Sequence, residues 1–148
     1  MLSPEEREEL FAKISASALC GIGIAGVERI DRDNILAATH WAMGEAVRQL
    51  KTTPELALVD GNREPQLPCP VQTIVNGDKL SLSIAAASII AKVTRDRIMA
   101  ELDLSHPGYG FAQHKGYGTV VHRAALLELG PSIHHRKSFA PVKELLAR

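Results

Sequence analysis

LALVDGN (residues 56–62) and VQTIVNGDKLSLSIAAASIIAKVTRDR (residues 71–97) are the stretches whose reading decides the fold. Each opens on a run rich in Val, Ile and Leu and reaches an Asp beside a Gly: Asp60 before Gly61, Asp78 after Gly77. Short apolar runs closed by turn residues read as buried strands. An Asp at such an end can face a cleft while its backbone stays in the sheet. The segment from Leu82 to Ala91 is apolar almost all round, the pattern of a buried helix, and Ala85-Ala86-Ala87 would let it lie close against a sheet. Between the two runs, GNREPQLPCP (residues 61–70) carries three prolines and so reads as a loop or polyproline-like connection.

Working outward from there, Ser3-Pro4-Glu5-Glu6 is a helix start, with a capping Ser, Pro at the first helical position and Glu three residues after the cap. That helix is expected to run to about Ser15. Ala18 to Val27 reads as a strand. Asp31 is expected to cap a second helix, Asn34 to Leu50, with Ile35, Ala38, Ala42, Ala46 and Leu50 on one face and Trp41 and Met43 as packing residues. Downstream, the long helix extends to about Asp103 and His106-Pro107-Gly108 breaks it. Thr119 caps a third long helix ending at Gly130-Pro131, and Pro141 opens a short last one. Some three strands alternate with five helices, which makes an α/β fold in one layered domain over residues 1–148.

The 148 residues suffice for one domain with a core. No apolar run approaches the ~20 residues of a membrane helix, and the polar, acidic start argues against a signal peptide. Cys20 and Cys69 have no paired spacing and read as free thiols of a reducing, cytoplasmic environment. Net charge is zero but uneven. Residues 1–78 hold 7 Lys and Arg against 12 Asp and Glu; residues 79–148 hold 10 against 5, with five of the six histidines. An acidic half and a basic half suit a site with cations on one side and a polyanion on the other.

Asp60 and Asp78 are candidate ligands for a divalent metal. Mg2+ and Mn2+ take hard oxygen ligands and need only one or two protein carboxylates; equally, both residues are common at turns. In GYGFAQHKGYGT (residues 108–119), Tyr109, Phe111 and Tyr117 offer rings for a sugar or base, and His114, Lys115 and the later Arg136 and Lys137 offer phosphate contacts. The alternative is a surface loop pinned by a few buried aromatics. His134-His135 lacks the spacing of helical zinc ligands and reads as facing nucleic acid or capping. Lys92, Arg95 and Arg97 read as a solvated helix face, and Glu28 as a residue that caps the next helix. No P-loop and no Gly-x-Ser-x-Gly element occurs.

Taken together, LVDGN (58–62), NGD (76–78), IAAASIIAKVTRDR (84–97), HPGYGFAQHKGYGT (106–119) and HHRKSF (134–139) followed by Pro141-Val142 resemble bacterial ribonuclease HII, in order and over essentially the whole chain. The resemblance implies an RNase H-like fold with a mixed sheet flanked by helices. It also implies an endonuclease that cuts the RNA strand of RNA–DNA hybrids and single ribonucleotides embedded in duplex DNA, with Mg2+ or Mn2+. By that resemblance Asp60 is a metal ligand, Asp78 the second-site acid, and Tyr117 the ring that stacks on the sugar beside the ribonucleotide. A monomer is expected when the domain is whole.

The family pattern also begins with a strand ending in Asp-Glu, followed by a Gly-Arg-Gly turn and a second strand, and neither motif occurs in this sequence. The expectation is therefore an N-terminally incomplete domain with two of four metal-binding carboxylates. Such a chain would be poorly stable alone and have little or no nuclease activity. The alternative is a non-catalytic nucleic-acid-binding remnant of the same fold.

Overall fold

A computed structural model of the chain describes residues 2–147. These fall into two compact units, residues 2–25 with 35–93 and residues 26–34 with 94–147.

The first unit opens with α1 (Pro4–Ser17), whose start is the expected capping box: Ser3 Oγ accepts from the Glu6 N–H at 3.1 Å, and the Ser3 N–H donates back to Glu6 Oε2 at 2.6 Å. No residue of α1 is buried. The segment after it, expected to be a strand, is extended but pairs with no strand among the described residues. It lies instead along α3 (Ile35–Arg48). Gln49 takes the part of a neighbouring strand, accepting from the Ile22 N–H at 3.1 Å and donating to its carbonyl at 2.7 Å. The glycines make this approach possible: a Cβ on Gly23 would stand 1.8 Å from the Ala42 carbonyl oxygen, and one on Gly21 1.9 Å from that of Ala46. The alanine face of α3 is thus used, but to seat a backbone rather than side chains.

Two strands, β1 (Ala57–Asp60) and β2 (Val71–Ile74), pair in parallel with Ala57 opposite Val71 and Asp60 opposite Ile74. The proline-rich connection of residues 61–70 returns the chain without a helix. A one-turn helix, α4 (Gly77–Leu80), follows, and then α5 (Leu82–Ser105), which passes from the first unit into the second. Ile84, Ile90 and Val93 of α5 are buried, with Val59 of β1 and Ala38 of α3. The expectation of a helix buried all round is corrected: Leu82 is 87% exposed, because two strands are too few to cover every face of an apolar helix. Leu80 and Val75 are exposed as well.

The second unit holds α2 (Val27–Asp33), the end of α5, α6 (Phe111–His114), α7 (Val120–Leu129) and α8 (Ala140–Leu146). Its core is Tyr109, Phe111, Ala125, Leu126 and Val142, with Met99, Leu102 and Leu145 against them. Thr119 caps α7 as expected, its Oγ1 accepting from the His122 N–H at 3.2 Å. Two corrections concern α2. Asp31 lies inside it and does not cap α3; its carboxylate takes the N–H groups of Lys137 and Ser138, both at 2.9 Å, and the Ser138 hydroxyl at 2.6 Å. Glu28 stands in the first turn of α2 without a side-chain capping bond, since the cap residue is Gly26. Across the described residues two strands and eight helices replace the three and five expected.

Candidate active site

In the first unit the acidic corner is built by local geometry. Asn76 adopts a left-handed conformation, φ 56°, which Asn tolerates better than most side chains. The turn aims the Gly77 N–H at Asp60 Oδ1, 2.8 Å away. Gly77 is buried and packs so closely that a Cβ there would stand 2.5 Å from Ile84 Cδ1. The side-chain-free residue between Asn76 and Asp78 therefore brings the start of α4 against the end of β1. Both Asp60 and Asp78 are exposed. Asp60 also borders a depression of about 220 Å3 lined by Leu36, His40 and Met43 of α3 and by Asn62 and Arg63. Among the described residues no group of three His, Cys, Asp or Glu side chains comes together as a metal centre. The free cysteines, Cys20 and Cys69, take no part.

In the second unit the glycine- and aromatic-rich loop divides into an inside and an outside. Tyr109 and Phe111 are core residues, 8% and 3% exposed, and the Tyr109 hydroxyl donates to the Gly130 carbonyl at 2.8 Å. His114 is buried too: its Nε2 meets the Tyr109 carbonyl at 2.7 Å and its Nδ1 accepts from the Gly116 N–H at 3.1 Å. These three were candidates for contact with sugar, base or phosphate. All three are buried, and the polar side-chain atoms of Tyr109 and His114 are bonded to backbone groups of the protein, so the corrected reading for them is the pinning one. Tyr117 is outside, 62% exposed. Arg95 braces it, with the guanidinium carbon 4.6 Å from the ring centroid and Nη1 3.3 Å from the hydroxyl, while Nη2 donates to the Lys115 carbonyl. Lys115 is held at φ 52° between Gly110, φ 76°, and Gly116, φ 79°, so the chain turns sharply on either side of it.

Arg95 is the residue that sequence reasoning missed. It reads as one more charge on a solvated face, and the contact that gives it a role spans 22 positions, with no periodicity to announce it. Arg136 is half-buried, its guanidinium carbon 4.9 Å from the centroid of the Phe139 ring. The turn that carries Arg136 is closed by Asp31. The Ser138 hydroxyl, with the Ser138 and Lys137 N–H groups, holds the Asp31 carboxyl below the usual carboxylate range. His134 packs edge-on against His106 at 4.7 Å, and His135 is buried.

This α/β architecture is that of the RNase H class. The crystal structure of the ribonuclease H2 from Pyrococcus horikoshii OT3 superposes with a TM-score of 0.77, covering all of this chain and 78% of that one at 22% identity. Residues 1–142 match the family model for ribonuclease HII, and the chain belongs to that family. It is 54% identical over 143 residues to the ribonuclease HII of Xanthobacter autotrophicus, covering 97% of this chain and 57% of the relative. It is also 54% identical over 145 residues to that of Paramagnetospirillum magneticum, covering 98% and 72%. With the relative from Rhodospirillum rubrum it shares 61% over 128 residues, covering 86% and 59%. The chain thus spans little more than half the length of several relatives it matches.

Proposed function

We propose that the chain carries part of the active site of a divalent-metal-dependent endoribonuclease that cuts the RNA strand of RNA–DNA hybrids and single ribonucleotides in duplex DNA. The observation that carries this reading is the bond from the Gly77 N–H to Asp60 Oδ1, which ties the turn just before Asp78 to the end of β1. Their chemistry fits a hard cation: carboxylate oxygens, exposed, with Asp60 oriented by a backbone donor. Asp60 and Asp78 would hold Mg2+ or Mn2+, which supplies water activation and stabilisation of the departing 3′-oxygen.

The remaining roles belong to the second unit. Tyr117 offers an open ring face for a sugar of the substrate, and Arg95 fixes that ring and lends it positive charge. Lys115 and Arg136 bind phosphate, which sets orientation without reading sequence. The 2′-hydroxyl distinguishes RNA from DNA. The compartment that fits this activity is the cytoplasm, and no described helix is long and apolar enough to cross a membrane.

A second reading is a module that binds hybrid duplex without cutting it. It is favoured by the finding that no group of three or more His, Cys, Asp or Glu side chains comes together among the described residues. One experiment separates the two. The chain is extended at its N-terminus by a segment carrying the family's Asp-Glu and Gly-Arg-Gly motifs, and cleavage of a duplex bearing one ribonucleotide is measured with Mn2+. The nuclease reading expects metal-dependent cleavage that Asp60→Asn abolishes. Absence of cleavage by the folded, extended protein, or full turnover by the Asn variant, overturns it.

A further inference from the structure

Three buried histidines of the second unit have no part in the proposed chemistry, yet all their ring nitrogens have partners. The rings of His114 and His122 stack at 4.1 Å with 12° between planes, and His122 Nε2 lies 3.0 Å from His135 Nε2. The partners fix each tautomer, because a backbone N–H only donates and a carbonyl only accepts. His135 Nδ1 accepts from the Ser132 N–H at 3.0 Å, so the His135 proton sits on Nε2. His122 Nδ1 faces the Tyr117 carbonyl at 3.0 Å, so its proton sits on Nδ1 and its Nε2 accepts from His135. His114 Nε2 donates to the Tyr109 carbonyl and Nδ1 accepts from the Gly116 N–H. Protons thus run one way, from Ser132 through His135 and His122 to the carbonyl of Tyr117. The Tyr117 N–H in turn donates to the His114 carbonyl at 2.9 Å, and the Thr119 N–H donates to the Tyr117 carbonyl at 2.8 Å.

We infer that His114, His122 and His135 are positioning residues: a neutral relay of single tautomers that locks the Lys115–Thr119 turn and releases it when the His122–His135 pair takes up a second proton. A further proton on His122 Nε2 would set two N–H groups against each other at the 3.0 Å contact; on His135 Nδ1 it would displace the bond from the Ser132 N–H and leave the Ser132 hydroxyl, 2.8 Å away, as the acceptor there. The titratable groups that act on the pair are other histidines: His114 from α6 and His134 from the loop before α8. No carboxylate is among the groups that act on either ring. The Tyr109 and Phe111 rings lie 5.1 and 5.4 Å from His135, and the buried residues that α7 and α8 add to this core are Ala125, Leu126 and Val142. Burial pushes the imidazoles of both His122 and His135 down, in the direction this arrangement requires.

That the locked turn serves nucleic acid rests on the functional reading above; the relay itself does not. The first measurement is a long-range 1H–15N spectrum of the wild-type histidine rings near neutral pH. The relay expects His122 as the Nδ1–H tautomer, the minor form of a free imidazole, and His114 and His135 as Nε2–H. An Nε2–H form of His122, or a charged ring in the pair, overturns it. The second compares two variants by amide exchange at Tyr117 and Thr119. His122→Phe keeps the ring and loses the donor, and is expected to speed exchange about tenfold, the worth of one hydrogen bond. His122→Asn restores a donor near the Nδ1 position and is expected to return it towards wild type. Equal exchange in the two variants overturns the positioning role. Anisotropy with a labelled RNA–DNA hybrid then tests the link to function. About tenfold weaker binding by His122→Phe than by His122→Asn supports it, and equal binding overturns that link while leaving the spectrum to judge the relay.

Discussion

Acidification offers a quantitative check on the buried histidines. The His135 imidazole is pushed from 6.5 down to about 4, first by burial and then by the neighbouring His122. Between those two values the folded chain holds its ring neutral while the unfolded chain binds a proton. The unfolded state therefore binds more protons, and stability rises with pH across the window, is complete above about pH 6.5, and is lost on the way down. Linkage over a fully developed difference of this size gives about 2 kcal/mol between about pH 7 and pH 5. Residual solvent screening lowers the expectation to about 1 kcal/mol. With a urea slope of about 2 kcal/mol/M, the midpoint moves by about 0.5 M. The assay is urea unfolding by far-UV circular dichroism at several pH values, with His135→Gln in parallel. Gln does not titrate, so the loss is expected in full in the wild type and reduced in the variant, where only His122, also pushed down by burial, remains of the pair. The window lies above the range where ordinary carboxylates protonate, so Asp and Glu add little. Parallel slopes in the two proteins would refute the reasoning.

Three further perturbations have defined outcomes. Gly23→Ala drives a Cβ to 1.8 Å from a helix carbonyl oxygen; it is expected to cost about 3 kcal/mol in urea unfolding and to break the Ile22–Gln49 pairing, and a cost below about 0.5 kcal/mol would contradict that packing. Gly77→Ala meets Ile84 Cδ1 at 2.5 Å and is expected to cost about 1–3 kcal/mol; Ile84→Val on the same chain should recover part of it, and strictly additive losses would contradict the contact. Asp31→Asn weakens acceptors that hold the Lys137 and Ser138 N–H groups; exchange of those two amides is expected to rise several-fold, and unchanged exchange would show that the turn carrying Arg136 stands without Asp31.

What could be read from the sequence was local. The capping box at Ser3, the Thr119 cap and the Pro near the start of α8 announce their helices within four residues of chain. The strands ending at Asp60 and Ile74 announce themselves by apolar runs closed with Asp, Asn and Gly. What could not be read depends on partners far along the chain. Ala18 to Val27 has the composition of a strand, and only the glycines against α3 and the Gln49 amide show where its backbone bonds go. Asp31 has the look of a cap, and its true partners lie more than 100 positions away. Tyr109 and His114 share a motif with Tyr117, but burial divides them: two hold the loop from within and one stands outside. The Arg95 guanidinium lies over the Tyr117 ring, a contact that no local spacing announces.

The central claim is that Asp60 and Asp78 form a corner for divalent cations, and paramagnetic broadening tests it most directly. Substoichiometric Mn2+ is titrated into the 15N-labelled chain and amide signal loss is followed. Loss is predicted first at Asp60, Gly61, Gly77 and Asp78, and is predicted to vanish there in the Asp60→Asn, Asp78→Asn double variant. Broadening that begins elsewhere, or that persists at this corner in the double variant, would contradict the account.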